Sequence, residues 1–303
     1  MGWEDQMRVS SKQMVDSILT DILRNKEQLN SAQKVVSTQK IVTKPSDDPV
    51  AMGNILGYRK ILSAIDQYGK NITRGKTHIE ITESTLNQIY DFLLEARRLA
   101  VDQSSGALEE RSTVAEQMKT LYDQILQMAN TKLGNSYIFS GHKTDTAAFS
   151  RDADYNTTYH GDDGDIRVIA GEKVDIKINI TGADALGGAE GVFDVLRSVI
   201  NGLENPDTAA GTTEIAAQIA PLTDALDQLE AVRAASASTY TRLESTENQL
   251  ADFKVKIENM LSGEEDADIT KAIIELQGRQ TAYETSLAAV SRILQSNLLD
   301  FLR

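Results

Sequence analysis

The stretch from Tyr58 to Ala100, YRKILSAIDQYGKNITRGKTHIEITESTLNQIYDFLLEARRLA, decides the fold. Within it Tyr58, Ile61, Ile65, Tyr68, Ile72, Gly75, Ile79, Thr82, Leu86, Ile89, Leu93, Ala96 and Ala100 alternate spacings of three and four. That repeat keeps one narrow seam on one side of a helix. Extended from Val50 to Ser104, the helix is about 80 Å long at ~1.5 Å per residue, more than a compact globule uses. A rod of this length has to bury its seam against other helices.

Partners for it lie on both sides. After Ser104-Ser105-Gly106, a helix is predicted from Leu108 to Leu133, with Val114, Met118, Leu121, Ile125 and Met128 in the same spacing. A short connection makes it fold back antiparallel. Another long helix is expected from Thr213 to Leu261, where Leu243, Leu250 and Ile257 are seven apart, long enough to cover the first.

The two ends carry comparable seams. From Ser10 to Gln39, Val15, Ile22, Leu29 and Val36 recur every seven residues, with Ile18 and Ala32 three positions after the first and third. Asn25 interrupts the second set, and a polar residue there specifies register or partner number. After Ser262-Gly263-Glu264-Glu265-Asp266, the last helix carries Ile269, Ile273, Leu276, Gln280, Tyr283, Leu287, Val290, Leu294, Asn297 and Phe301. The simplest partner for this seam is the N-terminal helix, which brings both termini to one end of a rod.

Between Asn135 and Gly191 the composition shifts to Gly, Asp, Thr and Tyr and the period shifts to two. Val174, Ile176, Ile178 and Ile180 alternate with polar residues, as in a strand with one wet face, and Ile166 and Val168 suggest its hairpin partner. A short amphipathic helix, Gly191 to Leu203, follows. The fold class is therefore mainly α with a small β insert. Its plan is a long antiparallel coiled-coil rod with paired terminal helices and an outer β-rich domain. Residues 1–45 form an N-terminal assembly helix, 46–134 rod helices, 135–212 the insert with its short helix, 213–262 the rod's return, and 263–303 a C-terminal assembly helix.

The turn Lys44-Pro45-Ser46-Asp47-Asp48-Pro49 separates the first two helices. Each proline biases its predecessor away from the helical region, and Ser and Asp favour turns. Asp48 is placed to cap the next helix, where negative charge suits the free amides. Pro45, Ser46, Asp47, Asp48 and Pro49 thus form a candidate hinge. A catalytic reading of the Asp pair finds no second acid, nucleophile or substrate motif beside it.

The 303 residues include 41% hydrophobic and 25% charged residues, a balance that folds. The formal net charge of -14, without a compensating basic block, argues against nucleic acid as partner. Cysteine is absent, which excludes disulfides, thiolate metal sites and a cysteine nucleophile. No run of about 18 apolar residues exists to span a membrane, and the N-terminus lacks the apolar core of a secretory signal. Met7 offers a second start after six extra residues. His78, His142 and His160 show no ligand spacing and read as surface or turn residues, and Asp162-Asp163-Gly164-Asp165 reads as a hairpin turn rather than a calcium loop. No glycine run matches a phosphate loop. The sequence assigns no catalytic, cofactor-binding or metal-ligating residue.

Met7-Arg8-Val9-Ser10, the segment Lys44 to Met52, Tyr137-Ile138-Phe139-Ser140-Gly141 and Ala267 to Ile273 resemble the flagellin superfamily, and within it the branch that joins hook to filament. The resemblance covers roughly residues 7–149 and 213–303. It implies a non-enzymatic structural subunit, exported through the flagellar type III channel without a cleaved signal and extracellular in the flagellum. It also implies polymerisation through paired termini and an outward insert. The implied partners are further copies of the chain, the other hook-associated junction protein and flagellin, with room for an export chaperone. A filament-forming flagellin and a soluble coiled-coil partner-binding protein stay open as alternatives.

On these grounds Val15, Ile22, Leu29, Val36, Ile273, Leu276, Leu287, Val290 and Leu294 are the candidate assembly interface. Helices with one narrow seam each are expected to order on assembly. Their seams are completed either by neighbouring subunits or within one subunit.

Overall fold

The computed structural model describes residues 3–105, 110–187 and 191–301, without the side chains at 3–12, 14, 15 and 293–301. Seven helices and six short strands follow in the order α1 (Trp3–Thr38), α2 (Pro49–Ser104), α3 (Arg111–Ala129), β1 (Lys132–Leu133), β2 (Ser136–Tyr137), β3 (Phe149–Arg151), β4 (Thr157–Tyr159), β5 (Arg167–Gly171), β6 (Val174–Lys177), α4 (Gly182–Leu186), α5 (Val192–Glu204), α6 (Thr208–Glu265) and α7 (Ile269–Phe301). The chain is mainly α with a small antiparallel insert, as its periodicity predicts. It divides into two compact units, residues 64–253 and residues 1–63 with 254–303.

In the unit of residues 64–253, α3 runs back along α2: Glu95 and Leu99 share a shallow hollow with Leu121 and Gln117. Helix α6 also runs antiparallel to α2, since Tyr90, Glu83, Glu80 and Lys76 bond in turn to Glu230, Arg233, Tyr240 and Glu247. Two of these polar ties are exposed and two only part-buried, and they contribute roughly 0–1 kcal/mol each. Fully buried leucines contribute about 1.5–3 kcal/mol each, so Leu86, Leu93, Leu222 and Leu229 hold the helices together.

The same core takes in α5, whose Phe193, Leu196, Ile200 and Leu203 are buried as its amphipathic pattern predicts. Phe193 packs edge-on to Tyr122 at 5.3 Å and against Phe149 at 5.1 Å, and Phe149 meets Tyr159 at 4.9 Å. The Tyr122 hydroxyl reaches the Tyr155 carbonyl at 2.9 Å.

The insert is three separate two-stranded ladders rather than one sheet. Strands β5 and β6 are the hairpin expected from the alternation, with Val168 opposite Ile176 and the Ile178 amide donating to the Ile166 carbonyl. Ile176 and Ile178 are buried, with Ile72, Ile79 and Leu243, in a second small core. Gly75 of α2 lets the hairpin come close: a Cβ there would lie 3.3 Å from both Ile178 and Val168.

Several boundaries differ from expectation. Helix α1 is already formed at Trp3, ahead of the expected start at Ser10, because Trp3 to Val9 contains no helix breaker. Helix α3 ends at Ala129, not Leu133, because the Asn130 side chain pairs with both the amide and the carbonyl of Phe149. Its expected start at Leu108 lies outside the described residues. Helix α6 starts early, since Asp207 Oδ1 accepts the amides of Ala209 and Ala210. It also continues through Ser262-Gly263 to Glu265. The break before α7 is only Asp266-Ala267-Asp268, and Asp268 Oδ1 caps α7 through the amides of Thr270 and Lys271.

Candidate assembly surface

The unit of residues 1–63 and 254–303 pairs α1 with α7. Asn25 Nδ2 donates to Ser286 Oγ at 2.7 Å, Arg279 Nη1 donates to Gln28 Oε1 at 2.8 Å, and Lys40 bridges to Asp266. Advancing along α1 thus means retreating along α7, so the terminal helices are antiparallel. Asn25 acts across the seam, as a register-setting polar residue does.

Apolar contact in this pair is thin. Ala32 and Ala272 are buried, while Ile22, Leu29, Val36, Leu276 and Val290 are half-buried along the seam. Ile273 and Leu287 are 42% and 43% exposed, at the flank of the stripe that Ala272, Leu276 and Val290 form on α7. Leu19 and Leu23 of α1 and Ile274 of α7 are each more than half exposed. The side chains of Val15 and Leu294 lie outside the described residues. The predicted interface residues therefore differ in burial: Ile22, Leu29, Val36, Leu276 and Val290 are partly covered within the pair, whereas Ile273 and Leu287 at its flank are left largely open.

At the base of the pair lies the predicted hinge, whose residues Pro45 to Pro49 are exposed. Asp48 Oδ1 accepts the amides of Val50 and Ala51 and so caps α2, and Pro49 opens that helix where its missing N–H is not needed. Asp47 Oδ2 accepts the Thr43 amide and hydroxyl and the Lys44 amide. Partial desolvation pushes the Asp47 carboxyl up, but the bonds from Thr43 and Lys44 and the charge of Lys34 outweigh it and hold it below its ordinary value. Val42, Ala51 and Ile55 form a small core beneath, with Leu261 against it.

Sequence reading missed Glu265, which is buried between Lys40 and Arg59. No local pattern carries that contact, since its partners lie more than 200 positions away along the chain. His78 is a correction: it is buried on α2 rather than lying at the surface, beside Tyr137, Ile138 and Ile166 of the insert. His142 and His160 are exposed, bonded to the Asp165 carbonyl and to Ser150. Asp162 Oδ1 accepts the amides of His142 and Gly164, but residues 162–165 connect β4 to β5 of separate ladders rather than closing the expected hairpin turn. Among the described residues no group of acidic or histidine side chains is arranged to hold a metal, and no helix is long and apolar enough to cross a membrane.

The chain thus combines an antiparallel pair of terminal helices that carry exposed apolar residues with a second, helical unit that holds a small β insert. The family model of the bacterial flagellin N-terminal helical region matches residues 9–144, and that of the C-terminal helical region matches residues 219–302. The chain belongs to the bacterial flagellin family and is a structural protein of the flagellum.

It is 28% identical over 273 residues to flagellar hook-associated protein 3 of Escherichia coli (strain K12), covering 86% of this chain and 82% of that one. It is 24% identical over 294 residues to the flagellin of Bacillus subtilis (strain 168), covering 92% of each. Its fold is similar to that of the flagellar junction protein FlgL from Legionella pneumophila, with a TM-score of 0.60 at 17% identity over 69% of this chain and all of that one.

Proposed function

We propose that this chain is an adapter at the hook–filament junction, which polymerises through its terminal helices and catalyses no reaction. The observation that carries this reading is the likeness to hook-associated protein 3 across most of both chains. The exposed apolar residues on α1 and α7 give it a physical basis, because covering them with a neighbour removes apolar surface from water. Residues 1–45 and 263–303 serve assembly, 46–134 with 213–262 form the shaft, and 135–212 project from it.

One copy binds others in a ring or layer, with the other hook-associated junction protein on one side and flagellin on the other. An export chaperone covers the terminal helices beforehand, and export proceeds through the flagellar channel without signal cleavage. Of the predicted interface, Ile273 and Leu287 face neighbours directly, while Ile22, Leu29, Val36, Leu276 and Val290 hold α1 and α7 together.

The match to Bacillus subtilis flagellin favours a second reading, a filament subunit. Gold-labelled antibody against this chain, imaged on intact flagellated cells, separates the two. A single band where hook meets filament is expected. Label along the whole filament makes the chain a flagellin, and no flagellar label supports a soluble coiled-coil protein instead.

A further inference from the structure

Glu265 ends α6 and is only 4% exposed. Its Oε1 lies 2.5 Å from Lys40 Nζ and 2.5 Å from Arg59 Nη2. Lys40 belongs to the segment leaving α1, and Arg59 belongs to α2. One carboxylate therefore ties three segments of the same unit together.

The backbone supplies a second, independent observation. Gln39 has φ +58°, a left-handed conformation that is uncommon for a non-glycine residue. The turn lets the Ile41 amide donate to the Glu265 carbonyl at 2.8 Å, while the Ala267 amide donates to the Gln39 carbonyl at 2.8 Å. The end of α1 and the start of α7 thus leave a two-rung antiparallel ladder in a fixed relation. The Gln28–Arg279 and Asn25–Ser286 bonds carry the same register along the helices.

A buried carboxylate held by two half-exposed cations is a poor device for stability alone, because desolvation of the carboxylate offsets much of the attraction. Its best-attested use is to select one arrangement among several. The arrangement that needs selecting here is the slide of α1 along α7, since alanines and half-buried side chains grip weakly. We infer that Glu265 is a positioning residue for assembly: held by Lys40 and Arg59, it presets the register of the terminal pair. The outward Leu19, Leu23, Ile273 and Leu287 then present one fixed pattern to a second copy. This inference rests on the adapter reading above.

The test uses the full chain in flagellated cells that lack their own copy. Glu265→Gln removes the charge at nearly constant size, and Lys40→Glu and Arg59→Glu combined with Glu265→Lys exchange all three charges while keeping the cluster. Glu265→Gln is expected to melt near the native temperature, yet to enter flagella at least about tenfold less. The Ile41 and Ala267 amides of its purified monomer should exchange hydrogen about tenfold faster, a factor equivalent to ~1.4 kcal/mol. The charge-exchanged chain is expected to recover most of both.

Native incorporation of Glu265→Gln, or unchanged exchange at those two amides, overturns the inference. Global unfolding of Glu265→Gln together with failure of the charge-exchanged chain to recover makes the residue merely structural, which also overturns it. Failure of the adapter reading is visible separately, because the native chain itself would then label the whole filament or leave flagella unlabelled.

Discussion

His78 sits nine-tenths buried on α2, and its Nε2 has no hydrogen-bond partner among the described residues. Burial holds its basicity below the ordinary histidine value, because a charged ring there would lose its water. The unfolded chain therefore takes up a proton at a higher pH than the folded chain does. The neutral-His78 contribution is complete above the unfolded pKa of about 6.5 and declines as pH falls through it toward the lower folded value. The melting temperature is expected to fall from pH 7.5 to pH 5 by more in the native chain than in His78→Leu; equal falls would remove His78 as the cause. The sequence places His78 beside the seam residue Ile79 but does not show that the insert lies against it. Asp48, by contrast, was legible as a cap because capping is a contact within three residues.

Elements were legible in proportion to how local their cause is. The long helices announce themselves through dozens of seam positions, whereas their ends depend on single side chains acting across space, as Asn130 does on Phe149. Ladders of two to five residues are too short for alternation to define, and only β5–β6 was readable. The docking of that hairpin on α2 makes a prediction at Gly75. Alanine gains about 1 kcal/mol of helix propensity but puts its Cβ 3.3 Å from Ile178 and Val168, so the two effects nearly cancel. Gly75→Val adds branched methyls to the same contact, and overpacking of roughly 1–3 kcal/mol is expected. Urea unfolding of the three chains checks this, with native-like stability of the valine variant as the adverse result.

Across the whole molecule, the helix, sheet, helix plan and the pairing of the termini followed from matching one unpartnered seam with another. Which residues of each seam face inward did not, because a heptad repeat marks a stripe without saying what covers it. Leu287, 43% exposed in the single chain, gives the sharpest test of the outward set. Leu287→Asp should leave the melting curve of the monomer unchanged and abolish incorporation into flagella; normal incorporation would show that the outward face is not an interface. The antiparallel pairing of α1 with α7 has a further bearing on biosynthesis. Helix α1 leaves the ribosome long before its mate α7, and closing so long a loop is slow. A nascent or truncated polypeptide keeps its first helix single, and only a chain translated through α7 can complete the couple, so the fold audits its own synthesis.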